Sequence, residues 1–288
     1  MKVKQIVEAG WQSQKDFFSR LKTRKKLNDY ALKNDITQLY NLVQQEYEPI
    51  FVLSTGRCGT AFLTNLLHSD KSIEALHEPE PEFFYHTILA HKEYQTNAEK
   101  LKAVFDVARY ELIRNVFINE KKYVETNNRV TFFANQIAEL YPKSKFIHLV
   151  RNPESFIKSG LGRNWYSGNS LYDEGRITND ADSWKSYSQI EKIAWLWNET
   201  NSFAEEFKTT ISKDRFLFLK AEDLFKNTEH QLSVFDFLGL AKPSITKLKR
   251  ITAVKVNEGK SSLVSTEQIQ KIKEEVLKLE LRKKYNYD

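Results

Sequence analysis

The stretch IFVLSTGRCGTAFLTNLL, residues 50–67, reads in three pieces. Ile50–Leu53 is short and wholly apolar, the pattern of a strand covered on both faces in a parallel sheet. Ser54–Thr60 is small and polar, with glycines at 56 and 59. Ala61, Phe62, Leu63, Leu66 and Leu67 then recur at helical spacing. A strand, a tight loop and a helix in that order turn successive backbone N–H groups and the positive end of the helix toward one point, which makes an anion site. Arg57 adds a full charge there.

Working outward, a second junction of the same kind lies at Lys145–Glu154. Lys145–Val150 is a strand, Arg151 sits at its carboxyl end, Asn152 suits a helix N-cap, Pro153 the first helical position and Glu154 the first turn. In an open α/β sheet the carboxyl ends of the strands are where ligands bind. Further short strands are expected at Ser72–Leu76, Lys122–Thr126 and Arg215–Leu219. The first runs into His77-Glu78-Pro79-Glu80-Pro81, where the prolines call for an extended, non-helical backbone. Residues 82–118 are helical in pattern, Asn127 or Asn128 caps a helix at Thr131–Leu140, and Trp184–Lys208 reads as one long amphipathic helix. Between them, residues 160–182 form a polar, glycine-containing loop of the length typical of lids and binding elements. A last helix opens with the capping box Ser265–Gln268 and runs to about Leu281. The alternation of strands and helices predicts an α/β fold, a three-layer sandwich with a mainly parallel central sheet. Residues 1–48 read as a helical extension packed on the core, and 49–288 as the main domain.

The chain has 288 residues, 41% hydrophobic and 28% charged, the composition of a soluble globular protein. The net charge of +6 suits anionic ligands and tolerates a membrane surface, but is too diffuse to indicate nucleic acid. The single cysteine, Cys58, excludes an internal disulfide and fits a reducing compartment, so a cytoplasmic location is expected. No stretch resembles a signal peptide or could span a bilayer. Peripheral membrane contact and dimerisation stay open, as does the oligomeric state.

The chemistry of the first junction is constrained by what it lacks. A magnesium-nucleotide phosphate loop needs a Lys followed by a hydroxyl residue after its last glycine. Here Thr60 follows Gly59, and the strand that would carry a metal-holding Asp ends in Arg151. The site therefore suits an anion without calling for a metal, and no His/Cys/Asp/Glu grouping has metal-ligand spacing. A sulfuryl group, less charged than a phosphoryl one, fits such a site.

The two junctions resemble the signature motifs of the sulfotransferase family, which uses 3′-phosphoadenosine 5′-phosphosulfate (PAPS) and releases adenosine 3′,5′-bisphosphate (PAP). STGRCGTAFL resembles the family's 5′-phosphosulfate loop. KFIHLVRNPESFIKSG resembles its 3′-phosphate motif, in which an Arg and a Ser eight residues on hold the 3′-phosphate; Arg151 and Ser159 have that separation. FLFLKAEDL followed by FDFLGL resembles a further strand-and-helix signature. The resemblance covers roughly residues 50–259 and implies a P-loop NTPase-like sulfotransferase fold. It implies that Thr55, Gly56, Arg57, Cys58, Gly59, Thr60 and Ala61 cradle the 5′-phosphosulfate, with Arg57 against the moving sulfuryl group. Phe62 falls where related enzymes stack an aromatic ring on adenine. Asn257, Gly259 and Lys260 resemble the basic arm that closes over the cofactor.

The family's small-molecule enzymes carry a Lys-Thr-His on the third strand; here the stretch is Glu125-Thr126-Asn127, without the His. The general base is assigned to Glu78, which stands 21 residues past Arg57, a spacing that resembles that of the base in protein-tyrosine sulfotransferases. His77 and Glu125 are the alternatives. His77 is Glu78's neighbour on a segment expected to be extended, so only one of that pair should face the site. The acceptor is a hydroxyl or amine compound, with a glycan or glycolipid among the candidates. Trp165, Tyr166, Trp184, Tyr187, Trp195 and Trp197 are candidates for its cleft, Trp195 and Trp197 reading better as helix core. Arg163 and Arg176 would suit an already anionic acceptor but read better as solvated loop charges. A P-loop small-molecule kinase and a non-catalytic nucleotide-binding protein are the rival readings.

Overall fold

The fold is described from a computed structural model covering residues 2–31, 33, 35–253 and 264–288, with the side chains of 2–16 and of Ser170 outside the description. In chain order the helices begin with α1 (Lys2–Ala31) and α2 (Ile36–Glu46), followed by β1 (Ile50–Leu53), α3 (Thr60–Leu67) and β2 (Ile73–Leu76). Next come α4 (Phe84–Glu93), α5 (Ala98–Ile118), β3 (Lys122–Glu125), α6 (Ala134–Leu140), β4 (Lys145–Val150) and α7 (Pro153–Leu161). The short α8 (Ser170–Asp173) lies in the long loop before α9 (Gln189–Lys208), β5 (Phe216–Lys220), α10 (Ala221–Lys226) and α11 (Thr228–Phe237). The chain closes with α12 (Ile245–Thr252), α13 (Thr266–Glu275) and α14 (Leu279–Lys284). No helix among the described residues is long and apolar enough to cross a membrane.

The five strands form one parallel sheet in the order β2-β3-β1-β4-β5. All four residues of β1 are buried, as its continuous apolar run requires. Alternation sorts them into two cores. Phe51 and Leu53 join Tyr123, Phe146, Phe105 and Phe207 on one face. Ile50 and Val52 join Val124, Ile147, Leu63 and Phe235 on the other. Burying four such side chains stabilises the fold by roughly 1.5–3 kcal/mol each. From β1 the chain moves out to β2 and back through β3; from β4 it moves the other way to β5. The order therefore reverses between β1 and β4, and both charged junctions open at that switch point.

The element boundaries differ from the sequence reading in ways with local causes. The helix expected at Trp184 starts at Gln189, because Ser188 and Glu191 form a reciprocal capping box there. The pattern at 82–118 is two helices, α4 and α5. The helix expected at Thr131 is preceded by a 3-10 segment, Asn128–Phe133, whose first turn Asn127 caps by accepting from the Arg129 N–H. The last helix ends at Glu275 and restarts at Leu279. Asn198 takes over both backbone partners at the break, donating to the Val276 carbonyl at 2.7 Å and accepting from the Lys278 N–H at 3.0 Å.

Candidate active site

The loop after β1 is built by left-handed residues. Gly56, Arg57 and Gly59 have φ of +75°, +54° and +91°. This conformation turns the loop's N–H groups inward as an anion-binding concavity, with the unpaired N–H groups of the first turn of α3 behind it. Gly59 is required twice over, since a Cβ there would stand 2.6 Å from the Phe225 ring, besides the strain of its φ. Phe225 also packs edge-on against Phe62, centroids 5.2 Å apart, which fixes the aromatic on α3. Cys58 is buried; its thiol lies 2.9 Å from the Thr55 hydroxyl and donates to the Gly56 carbonyl at 3.2 Å. Burial pushes that thiol up to about 11, so Cys58 shapes the loop and is no nucleophile. Thr131 anchors the loop's start, its hydroxyl bonding both the N–H and the carbonyl of Ser54 at 3.1 Å.

The second junction folds onto the first. Asn152 caps α7 by accepting from the Ser155 N–H at 3.1 Å, and Pro153 takes the first helical position. The Arg151 guanidinium donates to the Arg57 carbonyl at 2.8 Å. Arg57 in turn donates from Nε to the Ser159 hydroxyl at 3.3 Å. Arg57, Arg151 and Ser159, far apart in sequence, thus meet at the switch point. Burial, then the nearby charges of Arg163 and Arg151, hold the Arg57 guanidinium below its usual range. A cluster of like charges held this way favours an anion among them.

Two supports of this junction were not legible as such. Trp197, read as helix core and fully buried, also donates from its indole to the Arg151 carbonyl at 2.9 Å. Glu222 accepts from the Asn152 N–H at 3.0 Å and from the Tyr287 hydroxyl at 2.7 Å, tying β5 and the chain's end to the start of α7. Its position just after the apolar β5 run was the available signal.

At the end of β2 the structure corrects one expectation. The segment is not extended at Glu78, which has φ of +48°. The cause is a buried arginine that sequence reading passed over. Arg109, on α5, is wholly buried and donates to the Pro79 carbonyl at 3.1 Å and the Pro81 carbonyl at 2.9 Å, gathering the proline segment toward it. The same guanidinium pairs with Glu125 through Nε at 2.9 Å and 3.1 Å. Glu125 is fully buried and also accepts from Tyr123 and Asn127, so the alternative base is engaged in a buried network. The signal was an Arg at helical spacing among Leu101, Phe105, Leu112 and Ile113. His77 donates from Nδ1 to the Thr126 carbonyl at 2.9 Å, and Thr126 bonds Thr64 of α3 at 2.6 Å. Glu78 keeps a partly exposed carboxylate, 3.5 Å from Arg129 and within electrostatic reach of Arg57.

The aromatic candidates divide. Trp165, Tyr166 and Trp197 are buried. Trp184 packs on Tyr166, Tyr187 and Trp195, so this group forms a wall of the long loop. Arg163 is exposed as expected, whereas Arg176 is not a solvated charge. Its guanidinium lies 3.7 Å from the centroid of the Trp165 ring, and burial brings it down to about 10. Asn257, Gly259 and Lys260 lie outside the described residues. Among the described residues no group of three or more His, Cys, Asp or Glu could hold a metal.

A family model described as the sulfotransferase family matches residues 49–244. No curated protein sequence matches significantly. Among solved structures, the sulfotransferase domain from the curacin biosynthetic pathway aligns at TM-score 0.53 and 17% identity, over 85% of this chain and 99% of that one. The sulfotransferase STF1 from Mycobacterium tuberculosis aligns at TM-score 0.47 and 14% identity, over 88% and 81% of the two chains. At 17% identity the likeness to the curacin-pathway domain speaks for the fold.

Proposed function

We propose that this chain, which belongs to the sulfotransferase family, transfers a sulfuryl group from PAPS to a hydroxyl of an acceptor, with Glu78 as the base. The observation that carries the reading is the convergence of Arg57, Arg151 and Ser159 at the switch point, with a partly exposed carboxylate, Glu78, electrostatically linked to Arg57. The donor set fits the cofactor: a left-handed loop of N–H groups and Arg57 for the phosphosulfate end, Arg151 and Ser159 for the second phosphate, Phe62 and Phe225 for an aromatic base. Residues 55–61 would line the loop side, and Asn257, Gly259 and Lys260 remain assigned to the closing arm.

When bound, PAPS supplies an activated sulfuryl group on a good leaving group, PAP. Arg57 would hold the phosphosulfate end and offset the negative charge left on the phosphate. Glu78 would take up the proton of the acceptor hydroxyl. The φ of Glu78, imposed through Arg109, sets the direction of that carboxylate. His77, held by Thr126, keeps the strand end in register with α3.

The test is transfer of labelled sulfate from PAPS to a panel of glycans, glycolipids, phenols and steroids. Glu78→Gln should lower turnover by about 10²-fold while leaving PAP affinity intact. Full turnover in that variant with loss in His77→Ala would move the base to His77. PAP binding without transfer to any acceptor would leave a nucleotide-binding protein.

A further inference from the structure

The helix α1 meets the rest of the chain along one side of its second half. Leu27 and Tyr30 pack on the core, the Lys26 ammonium donates to the Ile118 carbonyl at 3.3 Å, and the Asn119 amide donates to the Thr23 hydroxyl at 2.8 Å. At the helical repeat these four positions share one side of the cylinder. Phe17, Phe18 and Leu21 fall on the other side, 58%, 66% and 43% exposed. The rings of Phe17 and Phe18 meet edge-on, centroids 5.7 Å apart. The helix thus carries two faces: one docks on the core, and an apolar one points away from it. A solvent-facing stripe is ordinarily polar, and single exposed apolar residues are scattered rather than clustered.

The same stretch is strongly basic. Residues 17–31 hold Arg20, Lys22, Arg24, Lys25 and Lys26 against one carboxylate, Asp29. Arg20, Lys22, Arg24 and Lys25 are exposed, and none of them forms an ion pair among the described residues. Arg20, Lys22 and Arg24 also border an open cleft of about 600 Å³ between α1, α5 and the edge strand β2. The two carboxylates of that cleft, Glu74 and Glu111, are already paired with Lys121 and Arg114, so the charge of α1 stays unanswered there. An apolar stripe bordered by cations on long flexible stems suits a helix lying in the plane of an anionic bilayer, its rings at the acyl boundary and its cations among the phosphates. A second copy of the chain is a poorer fit, because it would set five more cations against these with one more carboxylate to answer them.

We propose that α1 lies on an anionic lipid surface, with Phe17, Phe18 and Leu21 inserted at the headgroup boundary and Arg20, Lys22, Arg24 and Lys25 among the lipid phosphates. The chain is then held on a membrane and not across it, in keeping with the absence of a spanning helix among the described residues. Each such cation raises the affinity for an anionic surface by about fivefold, whereas neutral lipid engages the apolar side chains alone.

The test uses the full chain and sedimenting vesicles, either of phosphatidylcholine alone or of phosphatidylcholine mixed two to one with phosphatidylglycerol. Binding to the mixed vesicles should exceed binding to the neutral ones by about a hundredfold or more and should weaken as salt is raised. Lys22→Gln/Lys25→Gln should lower the affinity for the mixed vesicles by about twenty-five-fold, two charges at fivefold each. Phe17→Ser/Phe18→Ser should lower it by at least about tenfold. Both double variants should keep the wild-type melting temperature, since all four side chains are exposed. An environment-sensitive dye on Phe18→Cys should shift to the blue on the mixed vesicles, Cys58 being buried. Equal affinity for the two kinds of vesicle, binding to neither, or binding that survives in both double variants would overturn the proposal. So would a dimer in analytical ultracentrifugation that Phe17→Ser/Phe18→Ser turns into a monomer, because a second copy would then cover the face. None of these readouts needs transfer activity, so the outcome does not depend on the mechanism proposed above.

Discussion

Replacing Arg109 by Met should damage this protein in two separable ways. The side chain is wholly buried, its ring-facing side 4.3 Å from the Phe83 centroid and its donors on Glu125, Pro79 and Pro81. Methionine fills much of the volume but leaves Glu125 as a buried carboxylate with only the Tyr123 hydroxyl at 2.7 Å and the Asn127 amide at 3.0 Å. Breaking a buried pair from one side costs about 3–5 kcal/mol. For a chain of this size that is a fall in melting temperature of about 6–10 °C. The second effect is local: the carbonyls on either side of Glu80 lose their common donor, and the left-handed turn at Glu78 loses its cause.

The double variant Arg109→Met/Glu125→Leu separates the two. With neither charge buried, stability should return most of the way to wild type, as measured by urea unfolding. The proline segment stays unpinned, so kcat should remain down by about tenfold or more, while PAP affinity, set at the β1–β4 crevice, stays unchanged. A double variant that is stable and fully active would show that Arg109 does nothing for Glu78. A single variant that loses less than about 1 kcal/mol would refute the claim of a buried, mutually dependent pair.

Arg151→Ala should weaken PAP binding by roughly ten- to a hundredfold, the worth of a charge-assisted hydrogen bond to phosphate, and unchanged affinity by calorimetry would reject its role. His148, buried on β4 with Nε2 3.0 Å from Asn201, is lowered to about 4, mainly by burial. The unfolded chain binds that proton below about 6.5, so stability is fully present above that pH and declines as pH falls toward 4, by about 3 kcal/mol in all. Urea titrations at pH 7.5 and 5 should show the loss in wild type and a smaller one in His148→Gln; equal slopes would dismiss His148 as its source. The Cys58 thiol should resist a thiol-reactive dye in the native protein and react once denaturant unfolds it, whereas rapid labelling of the folded chain would contradict its burial.

What could be read from the chain alone follows the range of the forces involved. The β1 run and the two glycines of its loop declare themselves locally, because continuous burial and positive φ each demand particular residues at adjacent positions. The same holds for the caps at Asn152 and Ser265, where one side chain answers its own helix's unpaired N–H groups. Arg109, Glu222 and Asn198 were out of reach for the opposite reason. Each serves backbone groups distant in sequence: the prolines after β2, the N–H of Asn152, the break before α14. Nothing local distinguishes such a residue from a surface charge or amide, except that it interrupts an apolar stripe. Arg176 shows the limit most clearly, since its neighbours in the loop are polar and small, and its burial comes from Trp165 below and the docking of Gly175 on Phe84. The donor side of the site is thus written in contiguous motifs. The surroundings of Arg176 are written instead in contacts between segments distant in sequence, and so they show only once the chain is folded.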